Sequence, residues 1–133
     1  MGRAAVVRTL VGLMIIAVCA VAQEPPPQGP FKTVHLVSLD AAQEAKLSRS
    51  LAQFNQAIAK AGYPKAQYRL YKVAGKQQGE YSHLWEASWS GRAEYEKIHN
   101  LPAYQEASAL LKDLEPLMKN EVYNRFVEIP TKE

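Results

Sequence analysis

Between Phe31 and Pro130 the apolar residues switch repeatedly between strand-like and helix-like spacing, and the order of those switches constrains the fold more than any other feature. FKTVHLVSL, from Phe31 to Leu39, reads as a strand that Asp40 ends. Asp40 followed by Gln43 has the form of a capping box, which opens a helix. Leu47, Leu51, Phe54, Ile58 and Ala61 then recur at steps of four, three, four and three, one stripe of a helix. Gly62 and Pro64 stop it. AQYRLYKVA, Ala66 to Ala74, reads as a second strand, and EYSHLWEASW, Glu80 to Trp89, as a third. The short GKQQG loop between them makes an antiparallel hairpin. Ser90 is expected to cap a second helix, with Glu94 and Glu96 in its early turns and Tyr95 and Ile98 as apolar contacts. Pro102 interrupts that helix and can start another, where Ala107, Leu110, Leu111 and Leu114 resume the stripe until Pro116. EVYNRFVEIP, Glu121 to Pro130, supplies the last strand.

The order is β-α-β-β-α-β. Right-handed crossovers in two split βαβ units give a four-stranded antiparallel sheet with both helices on one face, a ferredoxin-like α+β fold. One sheet face then has no helix over it. Yet the first strand is apolar on both faces, with Phe31, Val37 and Leu39 on one and Val34 and Leu36 on the other. The second strand repeats this with Leu70 against Tyr71 and Val73. An apolar face of that size in water marks an interface, so a homodimer packed sheet to sheet is expected.

The segments outside the domain read differently. Arg3 and Arg8, the apolar run from Leu10 to Val21 and the small residues Ala20-Val21-Ala22 make residues 1–22 a signal peptide, which implies export to the periplasm or beyond. The alternative, a lipoprotein acylated at Cys19, is poorly supported by Ile16-Ala17-Val18 before it. The apolar run is too short for a comfortable membrane span, and no second apolar stretch follows it. QEPPPQGP, residues 23–30, reads as an extended solvated linker. Cys19 is the chain's one cysteine, so the processed chain is expected to have neither disulfides nor thiol chemistry. Without Arg3 and Arg8, 14 of the 16 basic residues remain against 13 acidic ones, and near-neutrality gives nucleic-acid binding no support.

In its layout the chain resembles the dimeric α/β-barrel superfamily, in particular antibiotic-biosynthesis-monooxygenase-like domains, with NIPSNAP-type domains a looser match. The resemblance rests on the third strand ending in Trp89-Ser90, on Ala93 and Tyr95, and on Leu101-Pro102-Ala103-Tyr104. It implies the ferredoxin-like fold and a dimer, and only weakly an activity, since the superfamily hosts many. Its haem-degrading members use an Asn on the first strand and a Trp and a His on the second helix. Aligned on Trp89-Ser90, those last two fall on Ile98 and Ser108, and the first strand has no Asn. That set is missing, unless His99 substitutes from a different position.

Both tryptophans lie in HLWEASW. Alternation puts Tyr81, His83, Trp85, Ala87 and Trp89 on one face of the third strand, which can pack under the helices. The matching face of the first strand carries His35, so His35 and His83 are expected close together, with His99 closing over the same space. Large aromatics under helices are ordinary core. They can also wall a small-ligand pocket, here lined by Trp85, Trp89, Tyr81, Tyr95 and His99 and binding a small apolar or aromatic molecule. A histidine there, His83 or His35, would be a suitable base near neutral pH, as in cofactor-independent oxygenases of this fold acting on aromatic or quinol substrates. No cofactor is expected, and the histidines lack the close spacing of a metal-ligand motif. Three readings stay open at this level: a ligand-binding protein, a monooxygenase-type enzyme, and a structural or interaction domain with a filled core.

Overall fold

The computed structural model describes residues 24–76, 79–109, 111, 112, 114 and 121–132. Residues 1–22, Cys19, Leu110, Pro116 and part of the GKQQG loop lie outside them. The elements run β1 (Phe31–Val37), α1 (Ala41–Lys60), β2 (Arg69–Lys72), β3 (His83–Trp89), α2 (Arg92–His99), α3 (Pro102–Ala109) and β4 (Val122–Phe126). The sheet order is β2-β3-β1-β4 with every pair antiparallel, which is the ferredoxin-like arrangement.

The first helix begins and ends as its sequence dictates. Asp40 Oδ1 accepts from the Gln43 N–H at 2.8 Å, and Gln43 Oε1 accepts from the Asp40 N–H at 2.8 Å. At the other end Gly62, at φ +95°, lets Tyr63 N–H reach the Ile58 carbonyl and Gly62 N–H the Ala59 carbonyl, a Schellman closure. Leu47, Leu51, Phe54 and Ile58 are buried. Ala61 is the C-cap and exposed, so the stripe stops one step earlier than its spacing suggested.

Strands β2 and β3 are shorter than their composition. Ahead of β2, the Tyr68 backbone is held by a side chain instead of a ladder: Asn55 Nδ2 donates to the Tyr68 carbonyl at 3.0 Å, and Tyr68 N–H donates to Asn55 Oδ1 at 2.7 Å. At the entry to β3, Ser82 Oγ accepts from the Leu39 N–H at 3.0 Å. The second helix is interrupted at Pro102 as expected, with Asn100 as the C-cap of α2. Its start differs from expectation. Gly91, not Ser90, is the N-cap, because the Ser90 hydroxyl is spent on donating to Glu94 Oε2 at 2.6 Å.

Under the helices lie Phe31, Thr33, His35 and Val37 of β1 and His83, Trp85, Ala87 and Trp89 of β3, all buried except the half-buried His35. The opposite sheet face carries Val34, Leu36 and Leu84, partly buried, among the exposed Tyr71, Val122 and Phe126. Lys32 Nζ and Glu86 Oε1 pair on it at 3.3 Å.

The Pro-rich segment does not float free. Pro26 is buried, its carbonyl accepts from Arg92 Nε at 2.6 Å, and the Glu24 carbonyl accepts from Arg125 Nη1 at 2.7 Å. Proline cannot donate a backbone N–H but leaves its carbonyl available, and two arginines take up those acceptors. The segment therefore straps the N-terminus of α2 to β4. It crosses Gly91 so closely that a Cβ there would collide with the Gln28 carbonyl oxygen, and Gly91 sits at φ +156°, a region L-residues rarely adopt. Gly91→Ala should therefore cost about 1–3 kcal/mol and lower the melting temperature by at least about 4 °C. Hydrogen exchange should rise across residues 24–30, whereas an unchanged melting curve and exchange pattern would show that the strap does not depend on this contact.

Candidate functional site

The register of three strands assembles one cleft. Opposite His35 stand Trp85 on β3 and Tyr123 on β4, and opposite Thr33 stand Ala87 and Arg125. Side chains of directly paired residues share a face, so β1 lies between an indole and a phenol on the helical side of the sheet. Above them Tyr95 and His99 project from α2 and Tyr104 from α3, while Tyr68 enters from the segment before β2. The cleft they enclose holds about 370 Å³.

Its floor is a stack. The His35 ring lies on the Trp85 ring at 3.5 Å and 6°, and Tyr123 leans on His35 at 4.7 Å. His35 Nδ1 is hydrogen-bonded to the Glu121 carboxylate, which fixes the ring plane. Trp85 is 6 % exposed, and its indole N–H has no hydrogen-bond partner among the described residues. A buried donor without a partner is uncommon and costs about 1–3 kcal/mol. The other indole is different in kind: Trp89 Nε1 donates to Thr33 Oγ1 at 3.0 Å, and the ring is packed edge-on by Tyr68 and Tyr95. Trp89 is core beneath the cleft, and Trp85 is part of its wall.

The roof is a directed hydrogen-bond chain. His99 Nδ1 lies 2.6 Å from the Tyr95 carbonyl, which can only accept, so Nδ1 carries a proton. Burial lowers the His99 pKa below its ordinary 6.5, with the Tyr95 carbonyl opposing and the Arg125 charge adding to the shift. In the neutral ring Nε2 is therefore an acceptor. It accepts a hydrogen bond from the Tyr104 hydroxyl at 3.0 Å, and the Tyr104 oxygen in turn accepts from the Tyr68 hydroxyl at 2.8 Å. Both phenols stay protonated: burial pushes Tyr104 up to about 12 and Tyr68 well above its usual range. Protonating His99 would reverse both donors in this chain.

Of the residues singled out in the sequence, the cleft brings together Trp85, Tyr95, His99 and His35. His83 and Tyr81 lie elsewhere. His83 is the first residue of β3 and pairs with Val37, one same-face pair along from His35 and Trp85, and it does not line the cleft. Its Nε2–H donates to Glu44 Oε2 at 2.6 Å and its Nδ1 meets Ser82 Oγ at 2.6 Å, clamping α1 to the start of β3. That hydrogen bond, with Lys72 nearby, lowers the Glu44 pKa. Tyr81 precedes the strand, so alternation does not extend to it, and it borders a hollow with Leu36 and Tyr71 on the other side. Tyr68, Tyr104, Tyr123, Arg125 and Glu121 escaped the sequence reading as site residues. For Tyr123 and Arg125 the signal was available in their two-residue spacing on β4.

Because the folded-state pKa of His99 is depressed, the unfolded chain takes up its proton first. Stability from this group is fully present above about pH 7 and declines as pH falls through 6.5 toward the folded value. The melting temperature should accordingly drop between about pH 7 and pH 5, with a shallower slope in His99→Gln. Identical slopes in the two proteins would remove His99 from the account. The Glu44 contribution has the same sign but belongs to the carboxylate range, below 4.5.

No protein-family model and no curated protein matches the chain. Solved structures do. A protein of Caulobacter crescentus described as a candidate antibiotic biosynthesis monooxygenase matches with a TM-score of 0.57 at 16% identity, over 79% of this chain and 94% of that one. A dimeric ferredoxin-like protein of unknown function from Thermobifida fusca matches with a TM-score of 0.53 at 16% identity, over 76% and 92%. Hydroxynitrile lyase from Passiflora edulis matches with a TM-score of 0.54 at 13% identity, over 81% and 100%. At these identities the likeness is one of fold: this chain has a ferredoxin-like architecture.

Proposed function

We propose that this chain is an exported, homodimeric ferredoxin-like barrel protein that binds a small aromatic molecule in the cleft between the sheet and α2–α3. The observation that carries the reading is a cleft of about 370 Å³ walled by aromatic rings, with the His35–Trp85 stack as its floor. An aromatic-lined cleft with a few convergent polar groups is the usual form of a small-ligand site. Export is supported by the apolar run that follows Arg3 and Arg8. The dimer is supported by the uncovered apolar sheet face and by the dimeric state given for the Thermobifida protein.

A second reading, the removal of a proton from an electron-rich phenol or quinol, draws on the neutral His99 at the end of the Tyr68–Tyr104 chain. A filled structural core fits less well with the cleft and its unsatisfied donor.

Titration with quinols and flavonoids should change tryptophan fluorescence saturably, and Tyr123→Ala should weaken the response about tenfold. A flat response to the whole panel would sink the binding reading. Oxygen uptake with a bound quinol, lost in His99→Ala, would select the enzymatic reading; binding without uptake would leave a binding protein. Light scattering on the processed protein at micromolar concentration should give twice the chain mass, and a monomer mass would refute the sheet-to-sheet dimer.

A further inference from the structure

The cleft contains a cation to which no carboxylate is bonded. Arg125 projects from β4 onto the helical face of the sheet, opposite Thr33. Its guanidinium lies 5.6 Å from the Tyr95 ring centroid and 5.8 Å from that of Tyr123. Its Nε donates to the Tyr123 hydroxyl at 3.1 Å and its Nη1 to the Glu24 carbonyl at 2.7 Å. Both partners are neutral, and no carboxylate pairs with Arg125 among the described residues. The nearest candidate in the cleft, Glu121, is taken by His35. A guanidinium carries five donors in a planar fork suited to a carboxylate, and the named bonds leave part of that fork unused.

From this, and resting on the reading of the cleft as a small-ligand site, we propose that the cleft selects an anion: a planar aromatic ligand bearing a carboxylate or a comparably acidic group, with Arg125 as the residue that recognises the charge. The Tyr95 and Tyr123 rings hold the guanidinium by cation–π contact, and the strap carbonyl of Glu24 fixes one of its nitrogens. The aromatic body of the ligand lies against the His35–Trp85 stack. The stack offers a flat apolar surface to the ring of such a molecule. A neutral isostere fills the same volume but leaves the cation uncompensated, so selection comes from charge and not from shape.

The test is isothermal titration with 2-naphthoate, salicylate and indole-3-acetate, each against its primary amide. At least one acid should bind about tenfold or more tightly than its amide. In Arg125→Met that ratio should fall to about one, while Arg125→Lys, which keeps the charge and loses the fork, should give an intermediate value. Raising salt from about 0.05 M to about 0.5 M should weaken the acid and spare the amide, a readout that needs no variant to fold. Equal affinities for acid and amide in the native protein, or a preference that survives in Arg125→Met, would overturn the anion proposal and leave the ligand site standing. Failure of all six compounds to bind would remove the ligand site and the proposal together.

Discussion

The position of β1 between β3 and β4 is the constraint on which the rest of the structure depends. Because a strand's side chains alternate, the register His35–Trp85 and His35–Tyr123 decides what the cleft contains. A slip of one residue would exchange Thr33 and His35 for Lys32 and Val34, or for Val34 and Leu36, placing an ammonium or aliphatic groups where the stack now lies. The register has its own locks at both ends. Trp89 and Thr33 are joined through the indole N–H inside the core, and at the far end Leu39 N–H reaches Ser82 while His83 reaches Glu44. These contacts tie β1 and β3 to each other and to α1 before any cleft residue is considered.

The two tryptophans, four residues apart on one face of β3, show how a single strand serves both packing and recognition. Both are nearly fully buried, so exposure does not separate them. Hydrogen bonding does. Thr33, one pair along from Trp89, satisfies it, whereas the corresponding position for Trp85 is Val37, which has no acceptor, and His35, directly opposite, lies flat on the indole. A valine where the other indole meets a threonine leaves the N–H without a protein acceptor, and the stacked imidazole widens the aromatic surface. The unsatisfied donor thus follows from the four-residue step along β1 from Thr33 to Val37.

Most of the fold was legible in the sequence because it is written in local periodicity. The capping box at Asp40, the Schellman glycine at Gly62, the break at Pro102 and the inward face of HLWEASW depend on residues a few positions apart. What sequence reading missed depends on distant partners. The shortening of β2 comes from the Asn55 side chain, and Ser90 loses its capping role to Glu94. The Pro-rich segment reads as solvated by composition, yet Arg92 and Arg125, far along the chain, supply donors for its carbonyls. For the site, alternation placed Trp85 and His35 on the helical face. It was extended to Tyr81, where no strand exists, and it assigned His83 a role that the Glu44 carboxylate had already claimed. The spacing of Tyr123 and Arg125 puts them on one face of β4, but which face that is comes from the register with His35 and Thr33.

The two faces of the sheet are linked through the same central strand. Val34 and Leu36 project opposite to Thr33 and His35, so whatever covers the open face also buries the back of the strand that carries the cleft floor. A strand covered on both sides behaves as the interior of a sandwich, with less freedom to slide or twist than one wetted on one side. The Lys32–Glu86 pair lies on that outer face, beside the half-buried aliphatic residues and not among the rings of the cleft. A second copy would therefore act on the cleft without entering it, by holding His35 against Trp85 from behind. The strap from Glu24 to Pro30 acts on the same cleft from its edge through Arg125. Floor and rim are thus positioned by elements that lie outside the core proper, and the helices contribute the roof.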